Sequence, residues 1–332
     1  MNYKILASPA SINDATDYYI TLIETAVKQL GGTVHRVERL SAVEKSDVII
    51  TIEAKFFLSA LLKRPSQLKI NWFQGIVPEE NDLLGGPWLR KWLWTLAEYL
   101  ALHRSRLNIM VSEAMLAHYR KKYHYRKNNF LIVPCYNKQL DHTAFSIPSK
   151  FEKPNFVYAG SMATWQSIDK TLMVFREIEH RLPEATLTLL TGQQKEAQQL
   201  INKYGIKNVT VKYCPLDQLD EELKEYKYGF LLREDHIVNR VATPTKMNTY
   251  LSAGIIPVYT NVVDSFEQHI DLGKYALKFS AAASASEIAE GILLFEEQND
   301  IDPGNILQVY AATYKEYYND LFYLEKIKAA LT

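Results

Sequence analysis

The sequence predicts an α/β protein with two domains, each built on a parallel sheet that has helices on both faces. Short apolar runs typical of buried strands alternate with longer amphipathic segments typical of helices, and the connections between them are short. At 332 residues the chain is long for a single hydrophobic core and suits two domains of about 150 residues each. An irregular stretch at 134–154, with Pro134, Pro148 and Pro154, separates the two alternating halves.

The alternation assigns each element in turn. In the first half it predicts strands at residues 4–7, 34–37, 47–52, 68–73, 108–111 and 130–133, with helices at 17–30, 56–62, 88–102 and 113–123. In the second half it predicts strands at 155–158, 186–190, 209–213, 228–232, 256–259 and 276–279, with helices at 168–181, 194–204, 217–226 and 284–297. Residues 305–331 have few helix breakers and predict a final helical segment. The predicted domains are therefore 1–148 and 152–312, followed by a C-terminal helix at 313–332.

Composition and charge argue against several classes of protein. No apolar run approaches the ~18 residues needed to span a membrane, and the apolar start of the chain is too short for a signal peptide. The only two cysteines, Cys135 and Cys214, each follow a strand-like run, which favours packing over a disulfide or metal site. We therefore expect a cytoplasmic protein. Residues 1–148 carry 19 Lys and Arg against 13 Asp and Glu, and this net charge of +6 suggests that the first half meets an anionic partner.

The stretch from Arg233 to Gly254 lies between two strand-like runs of the second half and contains a helix start. Thr243 and Pro244 predict that start, because a hydroxyl residue commonly caps a helix and proline suits its first position. Three apolar residues at positions i, i+3 and i+4 then form one face, and Gly254 predicts the end of the helix.

Three cations of this stretch are predicted to gather at one edge of the second sheet. Arg233, Arg240 and Lys246 lie near the carboxyl end of a strand and the amino end of a helix, where open α/β sheets bind their ligands. The helix dipole and the free N–H groups there favour an anion, and three cations beside them suit a diphosphate. The alternative interpretation is that these charges only solvate a loop and a helix start.

Residues 228–259 resemble the donor-binding segment of GT-B glycosyltransferases, close to glycosyltransferase family four. In that family a proline-threonine-lysine helix start leads into a Glu-Tyr-Leu-Ala-x-Gly run and then a strand. This chain has Pro244-Thr245-Lys246 followed by Thr249-Tyr250-Leu251-Ser252-Ala253-Gly254. It departs at Thr249, where the family usually carries the glutamate that holds the donor ribose. The phosphate-binding part of the pattern is intact.

The resemblance implies two Rossmann-like domains facing each other across a cleft, with a C-terminal helix that crosses back onto the first domain. It implies a hexosyltransferase-type enzyme that moves a sugar from a nucleotide-diphosphate sugar to a glycan or lipid-linked acceptor, with retention of anomeric configuration. Fixed cations in place of a metal ion predict metal-independent activity, and no cofactor is expected. The predicted catalytic residues are Arg233, Lys246 and Glu79. The predicted donor-binding residues are Gly160, Ser161, Arg233, Asn239, Arg240, Thr245, Lys246, Thr249 and Tyr250.

Gly160 and Ser161 are predicted to bind the donor because they end the first strand of the second half and precede a helix. Backbone N–H groups at such a turn can approach a phosphate, and glycine lets them come close. The family usually has an arginine or lysine later in this loop, where this chain has Trp165 and Gln166. The positive charge must therefore come from elsewhere.

Residues 72–80, Trp-Phe-Gln-Gly-Ile-Val-Pro-Glu-Glu, are predicted to end a strand and continue as a loop. They resemble a segment of a bacterial polysaccharide-assembly subgroup of these transferases, where a similar Gly-x-x-Pro-Glu-Glu occurs. Gln74, Gly75, Glu79 and Glu80 are therefore predicted on the acceptor side, where a glutamate could orient or deprotonate an acceptor hydroxyl. In the alternative interpretation both glutamates cap the next element or lie in water.

An aromatic and basic region follows. Trp88 and Trp92 are four residues apart beside Arg90 and Lys91, and residues 118–127 add five Lys and Arg and no acid. This combination suits peripheral contact with an anionic membrane, which would be the inner face of the plasma membrane. It also suits a helix with buried tryptophans and a solvated basic face. Binding of nucleic acid is not expected, since nothing else resembles a nucleic-acid module.

Other motifs, and two alternative functions, have less support in the sequence. Asp300 and Asp302 match the D-x-D metal motif of the other main glycosyltransferase fold, but Pro303 and Gly304 already predict a turn there. No spacing of His, Cys and carboxylates predicts a metal site. Two alternatives stay open: a catalytically silent GT-B subunit that binds a partner transferase or a glycan, as Thr249 suggests, and a sugar-nucleotide epimerase on the same fold. For the epimerase no acid and base can be assigned.

Overall fold

The computed structural model describes residues 1–298 and 301–332, which form two compact units. The first unit contains Met1–Asn137, Arg240–Thr243 and Asn319–Thr332, and the second contains Lys138–Asn239 and Pro244–Tyr318. The chain first passes from one unit to the other after residue 137, within the proline-containing stretch that separates the two halves of the sequence.

The first unit contains a six-stranded parallel sheet. Its strands in chain order are β1 (Asn2–Leu6), β2 (Thr33–Val37), β3 (Val48–Thr51), β4 (Lys69–Phe73), β5 (Leu107–Met110) and β6 (Phe130–Ile132). Across the sheet their order is β2-β1-β3-β4-β5-β6. The connecting helices are α1 (Asp14–Gln29), α2 (Ala54–Lys63), α3 (Val77–Leu83), α4 (Trp88–Arg104) and α5 (Glu113–Tyr123).

The second unit contains another six-stranded parallel sheet. Its strands are β7 (Asn155–Ala159), β8 (Thr186–Leu190), β9 (Val209–Lys212), β10 (Tyr228–Leu231), β11 (Ile256–Thr260) and β12 (Leu277–Phe279). The helices between residues 168 and 316 are α6 (Ile168–Arg181), α7 (Gln194–Tyr204), α8 (Leu216–Leu223), α9 (Ile237–Val241), α10 (Thr245–Ser252), α11 (Asp264–His269), α12 (Ala285–Gln298) and α13 (Pro303–Glu316). The predicted α/β class, with two Rossmann-like sheets, is confirmed.

The strand order of the second sheet, β12-β11-β10-β7-β8-β9, contains a switch point. From β7 the chain runs outward through β8 and β9, and it then returns to the other side of β7 to form β10. In open α/β sheets ligands bind at such a reversal, which in this sheet lies between the carboxyl ends of β7 and β10. Strands β10 and β11 are buried at every position, as expected for parallel strands that helices cover on both faces.

The C-terminal segment forms two helices where the sequence predicts one. Helix α13 ends at Glu316, and α14 (Asp320–Leu331) begins after Asn319, whose side chain accepts the N–H of Phe322 and so caps the new helix. Helix α14 belongs to the first unit, where the Tyr18 hydroxyl of α1 donates to Asp320 at 2.6 Å. The expected return of a terminal helix to the first domain is therefore confirmed. The break between α13 and α14 was not predicted, because few sequence signals mark it.

The residues after β4 form helix α3 instead of the predicted loop. Pro78 lies in its first turn, where the missing N–H of proline leaves no hydrogen bond unmade. Glu79 and Glu80 lie in the same turn, where acidic side chains complement the helix dipole. The helix is only seven residues long, which is too short to show a helical period in the sequence.

Candidate active site

Tyr250 of α10 holds the switch point of the second unit together. Its hydroxyl donates a hydrogen bond to the Phe230 carbonyl at 3.1 Å and accepts one from the Ala159 N–H at 3.3 Å. The side chain therefore bridges the carboxyl ends of β7 and β10. The ring is fully buried, and an added methyl group at Gly229 would lie 2.7 Å from it. The tyrosine that the sequence assigns to the donor thus has its hydroxyl engaged by the backbone of its own sheet.

Helix α10 begins one residue later than the sequence predicts. It starts at Thr245 with Pro244 at the N-cap, and no side chain caps it. Thr243 does not act as the predicted hydroxyl cap, because its Oγ1 accepts the Cys135 N–H at 2.8 Å. No side chain therefore caps the N–H groups of the first turn. The predicted end is confirmed: Gly254 has φ +67°, the left-handed conformation that ends helices and that glycine adopts without strain.

Lys246, in the first turn of α10, lies against the turn that follows β7. Its Nζ is 3.9 Å from the centroid of the Tyr158 ring and 2.6 Å from Gln166 Oε1. A methyl group added at Gly160 would lie 2.6 Å from Lys246 Cε, and Gly160 has φ +147°. The backbone conformation therefore favours glycine at 160, and a methyl group there would displace the end of the Lys246 side chain. The structure brings together two residues that the sequence predicts separately.

Arg233 follows β10 and is only 4% exposed. Its backbone N–H and carbonyl both hydrogen-bond Thr260 Oγ1, at 2.8 and 2.7 Å. Its Nη1 donates to the Trp165 carbonyl at 2.5 Å and to Asn239 Oδ1 at 3.4 Å, whereas its Nε has no partner in the described part of the chain. Asn239 is itself held by the Glu234 carbonyl, which accepts its Nδ2 at 2.9 Å. Asn239 thus positions the guanidinium.

Arg233 and Lys246 are two neighbouring cations with no carboxylate partner among the described residues. Burial lowers the pKa of Arg233 to about 10. Burial also lowers the pKa of Lys246, and the positive charge of Arg233 lowers it further. Burying like charges without a counter-ion destabilises the folded protein, and a bound anion would relieve that cost. The pair is thus suited to bind an anion.

The other predicted donor residues are half-buried or exposed. Thr245 and Thr249 are half-buried on α10, and Ser161 is exposed, with its carbonyl accepting the Tyr158 hydroxyl at 2.5 Å. Arg240 is exposed and belongs to the short segment of the first unit. The second unit by itself therefore contains two of the three predicted cations.

Sequence reasoning missed the groups that hold these cations. Trp165 holds Arg233 through its backbone carbonyl, and no residue pattern reveals a backbone contact. The Tyr158 ring contacts Lys246, but Tyr158 lies in a strand whose sequence predicts only a buried core position. Gln166 offered a signal, since it is a polar side chain in a loop at the ligand edge. In the sequence it stands where the family usually has a basic residue, and that replacement hid its role.

The first unit has a cavity of about 440 Å³ at the carboxyl ends of β3 and β4. Its polar and aromatic lining includes Trp72, Gln74, Gly75, Glu80, Trp94 and Glu98. The indole N–H groups of both tryptophans are buried and have no partner in the described part of the chain. Indole N–H groups normally find an acceptor when buried, so this cavity is suited to a ligand that carries hydrogen-bonding groups.

The two neighbouring glutamates of α3 have different environments. Glu79 Oε1 accepts from His118 Nε2 at 3.1 Å and pairs with Lys122 Nζ at 2.6 Å. Burial alone would raise the pKa of Glu79, but these two partners outweigh it and lower the pKa. Glu80 lines the cavity, where burial raises its pKa, and a methyl group at Gly75 would overlap its carboxylate. Of the two, only Glu80 faces the cavity.

Glu98 of α4 is another carboxylate that lines this cavity, and it was not predicted from the sequence. It is 1% exposed, and its two oxygens accept the Val77 N–H at 3.1 Å and the Tyr123 hydroxyl at 2.7 Å. Burial raises its pKa to about 7, although the charge of Lys122 opposes the shift. A single acid within a largely apolar helix was the signal available in the sequence.

Residues 1–298 and 301–332 contain no group of three or more His, Cys, Asp or Glu side chains that could hold a metal ion. Asp302 caps α13, since its side chain accepts the N–H groups of Gly304 and Asn305. Asp300, the other acid of the D-x-D match, lies outside the described residues.

No protein-family model and no curated protein sequence matches this chain. Several solved structures match its fold. A mutant of TarM from S. aureus, in complex with fondaparinux, alpha-GlcNAc-glycerol and UDP, is 11% identical with a TM-score of 0.64, and the match covers 93% of this chain and 58% of that one. HepE from Anabaena, in complex with UDP and glucose, is 12% identical with a TM-score of 0.68 and coverage of 99% and 98%. Sucrose-phosphate synthase from Thermosynechococcus elongatus is 12% identical with a TM-score of 0.69 and coverage of 99% and 97%.

At these identities the likeness concerns the fold. The chain spans 58% of the length of TarM and nearly the whole length of HepE and of sucrose-phosphate synthase. Those proteins are GT-B glycosyltransferases with two Rossmann-like domains, and the two six-stranded parallel sheets of this chain match theirs. The chain therefore has the GT-B fold.

Proposed function

We propose that this protein is a glycosyltransferase that moves a sugar from a nucleotide-diphosphate sugar to a glycan or lipid-linked acceptor. The observation that carries the proposal is the pair of Arg233 and Lys246, which lack a carboxylate partner in the described residues. They lie at the switch point, beside the uncapped start of α10. A diphosphate is the common ligand that satisfies two cations and free helix N–H groups together.

The proposed chemistry is electrostatic. As the bond between the sugar and the diphosphate breaks, negative charge grows on the leaving phosphate oxygen, and fixed cations stabilise that charge. Arg233 and Lys246 are positioned before the reaction by Trp165 and Gln166, so little reorganisation is needed. We infer that no metal ion or cofactor takes part. Retention of anomeric configuration and hexosyl transfer are inferred from the resemblance to family four.

The remaining predicted donor residues take roles that follow from their places. In the proposal the second unit is the donor domain. Asn239 positions Arg233, and Gly160 makes room for Lys246. Ser161, Thr245 and Thr249 are proposed to contact the donor. Arg240 is also proposed as a donor-binding residue.

The acceptor side is proposed for the first unit, at the cavity between β3, β4 and α4. Glu80 is the group there that faces an acceptor hydroxyl, and its raised pKa suits an exchange of protons with a hydroxyl better than a strongly acidic carboxyl would. Glu79, with its partners His118 and Lys122, fixes the start of α3 and keeps a negative charge nearby. Gln74 is exposed at the end of β4 and lines the same cavity.

The matched structures support this choice through what they contain. The TarM mutant was solved with UDP and a GlcNAc-glycerol, and HepE with UDP and glucose. By likeness of fold and by the resemblance of residues 72–80, we propose a role in surface polysaccharide synthesis.

The test is thermal denaturation with UDP, GDP and CMP and the matching nucleotide sugars, each with magnesium and with EDTA. A ligand at 100 times its Kd stabilises the folded protein by about 2.7 kcal/mol, which a melting curve detects. We expect one diphosphate to raise the melting temperature equally in EDTA. A shift that needs magnesium would contradict metal independence. No shift with any nucleotide would favour the silent subunit that binds a partner transferase or a glycan.

A further inference from the structure

Helix α4 carries large apolar side chains on the face that points to solvent. Trp88 is 78% exposed and Trp92 is 56% exposed. The same helix exposes Leu89, Leu93, Leu96 and Tyr99, whereas its buried residues are Ala97, Glu98, Ala101 and Leu102. The usual amphipathic pattern is therefore reversed over the first three turns. An exposed apolar patch of this kind marks an interaction surface.

Basic side chains continue this face at the C-terminal end of α4. Lys127 Nζ donates to the His103 carbonyl at 2.6 Å, and the Tyr99 and Tyr123 rings are 6.2 Å apart, so the end of α5 and the loop after it lie beside α4. The exposed cations there are Arg104, Arg120, Lys121, Arg126 and Lys127. Residues 114–130 contain no Asp or Glu. The apolar patch is thus bordered by positive charge.

We propose that this α4 face, meaning the exposed apolar side chains of residues 88–99 with the five flanking cations, docks on a membrane that contains anionic lipid. Tryptophan, tyrosine and leucine side chains enter the boundary between headgroups and acyl chains, and Lys and Arg bind anionic headgroups. Four of the five cations, all but Arg104, lie in a segment without Asp or Glu, and an anionic surface supplies the charge that complements them. No helix in the described part of the chain is long and apolar enough to cross a bilayer.

The opposite side of α4 gives the docking a consequence for function. Arg90, Trp94 and Glu98 follow one another at intervals of four residues, and all three line the cavity of the first unit. One helix therefore presents its apolar face to the lipid and its other face to the proposed acceptor cavity. Docking would hold that cavity at the headgroup layer, which selects a lipid-linked acceptor over a free glycan. This selection rests on the proposed function, whereas the docking itself does not.

The test is co-sedimentation of the full chain with vesicles of phosphatidylcholine, and with vesicles in which about a quarter of the lipid is phosphatidylglycerol. We expect binding to the anionic vesicles that weakens as salt is raised, and much less binding to the neutral ones. Trp88→Ala with Trp92→Ala should lower the partition coefficient about tenfold or more. Changing Arg120, Lys121, Arg126 and Lys127 to glutamine should remove the preference for anionic lipid.

The matched control is Leu216→Ala with Leu321→Ala, since both leucines are exposed on helices other than α4, at 58% and 75%. We expect the control to bind vesicles like the wild type and all variants to keep the wild-type melting temperature. Absence of vesicle binding by the wild type at low salt would overturn the proposal. So would a dimer that the tryptophan variant dissociates while neither protein binds vesicles, because the face would then be an interface between copies. Neither result depends on transferase activity.

Discussion

Lys246 and Gly160 occupy adjoining space at the switch point, where a methyl group on the glycine would lie 2.6 Å from Lys246 Cε and 2.8 Å from its Nζ. The glycine that the sequence assigns to phosphate approach thus also makes room for the cation. The lysine in turn lies over the Tyr158 ring and donates to Gln166, so the turn after β7 and the start of α10 act as one structure.

Gly160→Ala should displace Lys246 and strain a backbone at φ +147°. We expect at least about tenfold weaker binding of the nucleotide diphosphate, because the ammonium would be moved from its place beside Arg233. Isothermal titration with the nucleotide that stabilises the wild type measures this. Gly192→Ala is the matched control, since it follows the adjacent strand β8 and an added methyl meets nothing within 4 Å. Equal affinities of the two variants would contradict the argument.

Lys246→Met should reduce turnover about 10²-fold without lowering the melting temperature. The pKa of Lys246 is lowered in the folded protein, so the unfolded chain holds its proton more tightly. The stability of the ligand-free wild type therefore rises with pH through the range between the folded and the unfolded pKa, and the variant lacks this rise. Urea unfolding at several pH values and steady-state kinetics test both parts. A variant that unfolds while activity per folded molecule is unchanged would show a structural lysine.

Thr249→Glu tests the departure from the family pattern. Thr249 is half-buried on the same helix as Lys246, one turn further along. If this chain lacks a ribose contact because Thr249 replaces the family's glutamate, Thr249→Glu should bind nucleotide about tenfold more tightly. Thr249→Gln separates the hydrogen bond from the charge. Unchanged affinity in both variants would show that the ribose is held elsewhere.

Glu98→Gln should change how stability depends on pH. The pKa of Glu98 is raised from 4.5 to about 7 in the folded protein, so the folded state holds a proton that the unfolded state releases. Protonation of Glu98 therefore adds to the free energy of unfolding below pH 4.5, and this contribution of roughly 3 kcal/mol is lost as pH rises to 7. The glutamine keeps an acceptor for the Val77 N–H and should remove this fall. Urea unfolding at pH 5 and pH 8 measures it, with exposed Glu221→Gln as the control. An equal fall in Glu98→Gln and the wild type would contradict the assignment.

Glu80→Gln should lower turnover with acceptor while leaving nucleotide-induced stabilisation unchanged, because Glu80 lines the cavity of the first unit. Glu79→Gln should instead destabilise the protein, since it removes the charge that pairs with Lys122. Parallel assays of turnover and melting temperature separate the two. Loss of turnover in a stably folded Glu79→Gln, with Glu80→Gln active, would return the chemical role to Glu79.

Much of the fold follows from local patterns. Runs such as those of β10 and β11 are buried throughout and almost entirely apolar, as expected where helices cover both faces of a sheet, and their lengths and spacing already predict parallel sheets. The break between α13 and α14 and the short helix α3 were harder to predict. A single capping side chain, Asn319, separates α13 from α14, and Pro78 lies at the start of α3, where proline is compatible with a helix. Neither feature changes the hydrophobic pattern enough to be seen in the sequence.

The sequence by itself determined the α/β class, the switch-point stretch and the choice of Arg233 and Lys246, because residue type and order carry that information. Only the tertiary structure decided that both cations lack a carboxylate partner in the described residues, and that Trp165 and Gln166 hold them. It also decided that Glu80 rather than Glu79 faces the cavity, and that Trp88 and Trp92 face solvent. Burial, desolvation and the direction of a side chain depend on residues far apart in the chain, which only folding brings together.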